Sequence, residues 1–119
     1  MKRLKVGYFI DTFFPMVDGV IMVVDNYAKR MQKYADVTVF APKVDLFYKD
    51  TFDYKVIRSM SLPVPFFEYS LPNPDVDIAF RNELNKSALD IVHIHSPFAI
   101  GRMGIRYAYK KNIPVLGTM

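Results

Sequence analysis

Residues 4–20 read LKVGYFIDTFFPMVDGV, and this stretch decides the fold. Leu4 to Ile10 is a β-branched and aromatic run with no helical period, which predicts a strand. From Val20 the pattern changes. Val20, Val23, Val24, Tyr27, Ala28, Met31 and Tyr34 recur at steps of three and four, while Asp25, Asn26, Lys29, Arg30 and Lys33 fall between them; this predicts a helix over Val20 to Tyr34 with a polar outer face. Asp11 to Gly19 therefore join a strand to a helix. The first N–H groups of that helix lack intrahelical partners and carry the positive end of its dipole, so the corner suits a phosphate or carboxylate. Gly19 lets an anion approach closely and can supply a positive φ if the turn requires it. The same glycine also serves as a plain turn residue, and Asp18 can cap the helix with its own carboxylate. G-x-G-x-x-G is absent, which argues against a dinucleotide site of the dehydrogenase kind.

Working outward, strands and helices alternate. Asp36 to Ala41 reads as a strand ended by Pro42, and Tyr54 to Arg58 as a weaker one. Asn73-Pro74-Asp75 is a helix-start signal, followed by Val76, Phe80 and Leu84 at four-residue steps. Leu89 to His95 is the best strand in the chain. A helix is expected from Phe98 to Lys111, with Gly101, Gly104 and Ala108 permitting close approach to the sheet, and Pro114 to Thr118 reads as the last strand. The order is that of one α/β domain over residues 1–119, Rossmann-like, with a mainly parallel sheet and helices on both faces. Ligands of such sheets bind beyond the carboxyl ends of the strands. The last strand has no covering helix after it, so the chain reads as truncated. Two loops, Pro42 to Asp53 and Ser59 to Pro74, have no regular period; Phe47, Tyr48 and Phe52 in the first and Phe66, Phe67 and Tyr69 in the second either pack on the core or offer an apolar lip to an acyl chain or membrane.

His93 and His95 are the two histidines of the chain. A spacing of two puts both on one face at the end of one strand. They suit acid–base work or a hydrogen bond to a substrate hydroxyl or phosphate, and equally a structural role satisfying loop backbone groups. A zinc site is disfavoured because no further His or Cys lies nearby. Ser96 and Ser70 sit in no nucleophile elbow.

Composition closes off other classes. The 119 residues, 51% of them hydrophobic, suffice for one core. No apolar run is long enough to span a membrane, no secretory leader is readable, and there is no cysteine, so the chain reads as cytoplasmic and free of disulfide or thiol chemistry. The net charge of +4 is spread without a dense basic block. It fits a solvated surface, or weakly an anionic partner.

DTFFPMVDGV after the first strand, DIVHIHSPFAIG at the fourth and NIPVLGT at the fifth resemble the amino-terminal domain of family 4 retaining glycosyltransferases of GT-B architecture, and within them the branch that glycosylates lipids, such as diacylglycerol glucosyltransferases and phosphatidylinositol mannosyltransferases. The resemblance runs the length of the chain. It implies a two-domain enzyme whose amino-terminal half binds a lipid or sugar acceptor, whose second half binds a UDP- or GDP-sugar, and which transfers the sugar with retention and without a required metal or other cofactor. By the same resemblance Gly19 matches the glycine whose N–H lies near the donor diphosphate, Thr12 lies in the loop meeting the acceptor, and His93 and His95 match an H-x-H-x-P-like element that shapes the cleft floor. Asp18 stands where many members have the first glycine of a pair. The histidine commonly assigned a catalytic role would follow Met119, so no catalytic residue is expected within the chain. The acidic E-x7-E element belongs to the missing donor domain, and the segment alone is expected to be inactive. Expected partners are the two substrates and a peripheral membrane contact, reached through the aromatic loops and Arg81, Lys86, Arg102, Arg106 and Lys110; nucleic acid is not expected. The alternative is a non-catalytic α/β interaction module, or a split subunit that pairs with a separate donor-binding domain.

Overall fold

A computed structural model describes residues 3–43, 48–59, 61–63, 70–72, 77–96 and 98–118. Five parallel strands form the sheet in the order β3-β2-β1-β6-β7: β1 (Leu4–Phe9), β2 (Ala35–Pro42), β3 (Lys55–Ser59), β6 (Ile91–Ile94) and β7 (Val115–Gly117). Two short strands within the second loop, β4 (Ser61–Pro63) and β5 (Ser70–Pro72), pair antiparallel as a separate ribbon. This corrects the expectation that Ser59 to Pro74 lacks strand structure. Leu62 opposite Leu71 is too short a pattern to announce a ladder. Phe66, Phe67 and Tyr69 lie outside the described residues.

The alternation along β1 builds two cores. Val6, Tyr8 and Ile10 pack with Val37, Val39 and Ala41 of β2 beneath α1 (Gly19–Met31), through Ile21, Val24 and Ala28. Phe9, Phe40 and Ile57 face the other way, against α2 (Ile78–Lys86) and α3 (Ala99–Lys111). There Phe9 stacks on Phe40 with ring centroids 4.5 Å apart, and Phe80 of α2 meets Phe40 edge-on. Burying each such ring contributes about 1.5–3 kcal/mol. Gly104 is required at this contact, because a Cβ there would stand 2.8 Å from Phe9. The architecture is Rossmann-like, with helices on both faces, as the alternation of elements implies.

Boundaries shift where caps or partners override the pattern. Helix α1 begins at Gly19, one residue early, since the Asp18 carboxylate accepts the Ile21 N–H at 2.8 Å; it stops at Met31 rather than Tyr34. Gly19 does not take a positive φ. Asp77 caps α2 by accepting from Phe80 N–H at 2.9 Å, and the Asn73-Pro74-Asp75 signal lies outside the described residues. Asn112, in the left-handed region, ends α3. Sheet pairing confines β6 to Ile91–Ile94 and β7 to Val115–Gly117, narrower than the patterned runs, while β2 extends to include Pro42 and β3 runs from Lys55 to Ser59. 

The faces of α1 also differ from the periodic reading. Asp25, expected outside, is buried and holds the Tyr54 hydroxyl at 2.6 Å and the Lys29 ammonium at 2.9 Å. Burial and the Asp25 hydrogen bond both push the Tyr54 pKa up, so its hydroxyl stays protonated as a donor. Val20, Val23, Tyr27, Met31 and Tyr34 are exposed, because contact with the sheet runs through the narrower stripe of Ile21, Val24 and Ala28. In the loop after β2, Phe52 packs on Phe13, Phe14 and Tyr54 instead of forming a lip, and Arg58 fixes the loop by pairing with Asp50 at 2.6 Å while lying over Phe13 and Tyr48. Phe47 lies outside the described residues.

Candidate functional site

Strands β1 and β6 are parallel neighbours with Tyr8 opposite His93 and Phe9 opposite Ile94. Their carboxyl ends therefore emerge together, and both α1 and α3 start at that edge. The 12–18 loop follows β1, and His95 and Ser96 follow β6, at that same edge.

His93 and His95 sit on the α1 face, stacked with ring centroids 4.2 Å apart. Tyr8 lies 5.4 and 5.7 Å from them, and Tyr27 of α1 is 6.0 Å from each. His93 is half-buried, and its Nε2 lies 2.7 Å from Thr118 Oγ1 just after β7. His95 is only 4% exposed, and its Nε2 has no hydrogen-bond partner. Burial, and then the neighbouring His93, lower the His95 pKa to about 4; burial lowers that of His93 as well. At neutral pH both rings are thus uncharged. Neutral imidazoles can exchange hydrogen bonds with a hydroxyl but do not offset a phosphate charge.

The His95 shift has a measurable consequence. The unfolded ring, with a pKa near 6.5, binds a proton that the folded ring refuses down to about 4. The unfolded state then holds more protons between those values, so stability is full above about 6.5 and falls as pH drops toward 4, by at most about 1.4 kcal/mol per pH unit for one proton. Urea titrations across that window should show the loss in the parent protein and a shallower one in His95→Gln; equal slopes would remove His95 as the cause.

Thr12 is exposed, three residues beyond β1, and Gly19 is the exposed first residue of α1 with nothing within 4 Å of where a Cβ would stand. Open space at Gly19 leaves room for a ligand, although the Ile21 N–H is already taken by Asp18. Thr12 and Gly19 thus lie on the loop and helix start after β1, and the histidines at the end of β6. Pro97 lies outside the described residues. Among the described residues no group of three or more His, Asp or Glu is placed to hold a metal ion.

Sequence reasoning missed Asp11. This carboxylate is 7% exposed and fills the N-terminus of α3: Oδ1 accepts from Ile100 N–H at 2.7 Å, and Oδ2 from the Ser96 hydroxyl at 2.6 Å, Phe98 N–H at 3.2 Å and Gly101 N–H at 3.4 Å. The Asp11 N–H in turn donates to Ser96 Oγ at 2.9 Å. Phe98, at the N-cap of α3, supplies no side-chain cap. A polar strand-end residue facing a helix that lacks its own cap was the available signal. Of the two helix starts at this edge, that of α3 is therefore satisfied by the chain's own carboxylate. The start of α1 likewise carries a carboxylate of the chain, Asp18, and differs in keeping open space beside Gly19.

Comparison with known proteins identifies the family. The model of Glycosyltransferase Family 4 matches residues 17–119. An alpha-monoglucosyldiacylglycerol synthase of Streptococcus pneumoniae (strain ATCC BAA-255 / R6) is 31% identical over 121 residues, covering 97% of this chain and 26% of the relative. An alpha-monoglucosyldiacylglycerol synthase of Acholeplasma laidlawii is 29% identical over 122 residues, covering 98% of this chain and 29% of the relative. The chain thus spans little more than a quarter of the length of these relatives. With the family model spanning most of the sequence, the chain belongs to glycosyltransferase family 4.

Proposed function

We propose that residues 1–119 are the acceptor-binding domain of a retaining glycosyltransferase that moves a sugar from a nucleotide-sugar to a lipid or sugar acceptor, the donor being held by a second domain. What supports this reading is the common edge of β1 and β6, parallel neighbours: Thr12 and Gly19 follow the end of the one, and His93 and His95 lie at the end of the other. Gly19, with open space beside it and a helix dipole behind it, would meet the donor diphosphate. Thr12 and the neutral His93 would meet acceptor hydroxyls, and buried His95 would support the ring of His93. The nucleotide-sugar, carrying UDP or GDP, is a substrate, and no metal or other cofactor is part of the reading. The relatives' names make diacylglycerol-based lipids the first acceptors to try.

No helix among the described residues is long and apolar enough to cross a membrane. We place the protein in the cytoplasm, at the membrane surface, where a lipid acceptor is reached peripherally. The protein joined to a donor-binding domain should transfer sugar from UDP- or GDP-sugars to diacylglycerol or glucosyldiacylglycerol, and the 119-residue segment alone should not. His95→Gln in that complete protein, which keeps much of the buried volume, should lower turnover by about tenfold or more with a smaller loss of stability than His95→Ala. No transfer across those donors and lipids would sink the reading.

A second reading has one observation in its favour: all three residues of edge strand β7 are exposed. In it the domain is a subunit that pairs with a separately encoded donor-binding domain. Co-purification of such a chain would establish it, and transfer by a single polypeptide would remove it.

A further inference from the structure

Side chains alternate along β6 and β7, so the parallel register fixes which of them share a face. His93 stands opposite Leu116, and Thr118, two residues further along, falls on that same face just past the end of β7. Its backbone is fixed there, because the Thr118 N–H donates to the Ile94 carbonyl at 3.0 Å. The Thr118 hydroxyl oxygen then lies 2.7 Å from His93 Nε2. Tyr8 of β1 and His95 crowd the same ring, with centroids 5.4 and 4.2 Å away, and Tyr27 of α1 lies at 6.0 Å, tilted by 28° from it. Burial lowers the His93 pKa, so at neutral pH one ring nitrogen carries a proton and the other a lone pair. The hydrogen bonds of the ring decide which nitrogen keeps the proton. Thr118 Oγ1 is an acceptor within reach of Nε2, and among the described residues none reaches Nδ1. Thr118 is exposed, so its own hydroxyl proton is met by water.

We propose that Thr118 is a positioning residue for His93: its hydroxyl oxygen accepts the Nε2 proton, which fixes the ring and leaves the Nδ1 lone pair for a hydroxyl group of the substrate that receives the sugar. The proposal deepens the role given to His93 above, and it rests on that reading. Thr118 acts through the ring and not on the substrate. One neutral hydrogen bond shifts an equilibrium by about three- to tenfold. With the hydroxyl removed, the preference for this tautomer should fall by that factor.

With two histidines in the chain, the test is direct. The ring nitrogens of isotope-labelled histidine are read by NMR at about pH 8, above the ordinary histidine pKa of about 6.5, with His93→Gln and His95→Gln assigning the signals. Expected in the parent is a protonated Nε2 and an unprotonated Nδ1 at His93. That preference should be reduced about three- to tenfold in Thr118→Val, which keeps the shape of the side chain, and retained in Thr118→Ser, which keeps the hydroxyl. In the protein joined to a donor-binding domain, Thr118→Val should lower kcat/KM for the substrate receiving the sugar by the same factor, leave the KM for the nucleotide-sugar unchanged, and be rescued by Thr118→Ser. An unprotonated Nε2 in the parent, or an unchanged preference in Thr118→Val, would overturn the proposal. So would a valine variant as active as the parent, or a serine variant as impaired as the valine. The NMR measurement needs neither substrate, so its failure strikes the proposal alone; a parent with the expected tautomer and no transfer would strike the transferase reading alone.

Discussion

Asp11→Ala is expected to remove about 3–5 kcal/mol of stability, a large share of the roughly 5–15 kcal/mol that a domain of this size possesses. The carboxylate accepts from three backbone N–H groups at the start of α3 and from the Ser96 hydroxyl, in a site closed to solvent. An alanine leaves those donors facing nothing, and each buried donor without a partner costs about 1–3 kcal/mol. Some of that cost is recovered by fraying of the first turn of α3, which is why the sum stays below the full total. Asp11→Asn keeps one acceptor oxygen but loses the charge facing the helix dipole, so it should fall between parent and alanine, at about 1.5–3 kcal/mol. Urea midpoints with unchanged m-values would give both numbers. A loss under about 1 kcal/mol in Asp11→Ala would mean that the carboxylate is not what holds α3 to β1.

The consequence for function follows from position. Ser96 follows His95 directly, and Asp11 precedes Thr12. One hydrogen-bonded junction thus ties the loop carrying Thr12 to the strand end carrying the histidines. In the complete enzyme the same substitution should lower transfer even at temperatures where the protein stays folded, because the Thr12 loop and the strand end bearing the histidines are no longer held in register.

Much of the fold was legible because it is written in local periods. Val6, Tyr8 and Ile10 against Gly7 and Phe9 announce a strand buried on both faces, and Ile21, Val24 and Ala28 sit inside a helical period that needed only narrowing. The two histidines declared their common face through a spacing of two. What stayed hidden depends on partners far away in sequence. Asp25 reads as a surface residue until Tyr54, 29 positions later, arrives to hold it. Asp11 reads as a turn residue until residues 85 to 90 positions later bring a hydroxyl and three N–H groups to it. The neutral state of the histidines is legible only in part: the H-x-H spacing puts His93 beside His95, but the burial that lowers both pKa values most does not show in the sequence. The β4–β5 ribbon escaped for the opposite reason: it is too short to carry a period.

Gly101→Ala should be the other severely destabilising change, and the sign of its effect is a contest between two terms. Alanine is intrinsically better than glycine in a helix by about 1 kcal/mol, so on propensity alone the variant would be stabilised. Against that, a Cβ at Gly101 would stand 1.7 Å from the Ser96 carbonyl oxygen and 2.9 Å from its carbon. Those are backbone atoms at the end of β6, not the tip of a side chain that can swing away. Relief requires α3 to move outward by on the order of 1 Å or more, which draws the Ile100 and Gly101 N–H groups off Asp11. The steric term wins, and the expected loss is about 3–4 kcal/mol. Gly104→Ala is the comparison: there the added methyl meets the buried Phe9 ring at 2.8–3.0 Å, a longer approach to a side chain rather than 1.7 Å to a backbone oxygen, and the cost should be smaller, about 1–3 kcal/mol. Because Gly101 and Asp11 act on one junction, combining Gly101→Ala with Asp11→Asn should cost less than the sum of the two, whereas Gly104→Ala should combine with Asp11→Asn more nearly additively. If Gly101→Ala proves no more costly than Gly104→Ala, or adds in full to Asp11→Asn, the close seating of α3 on the Ser96 carbonyl is not what the glycine serves.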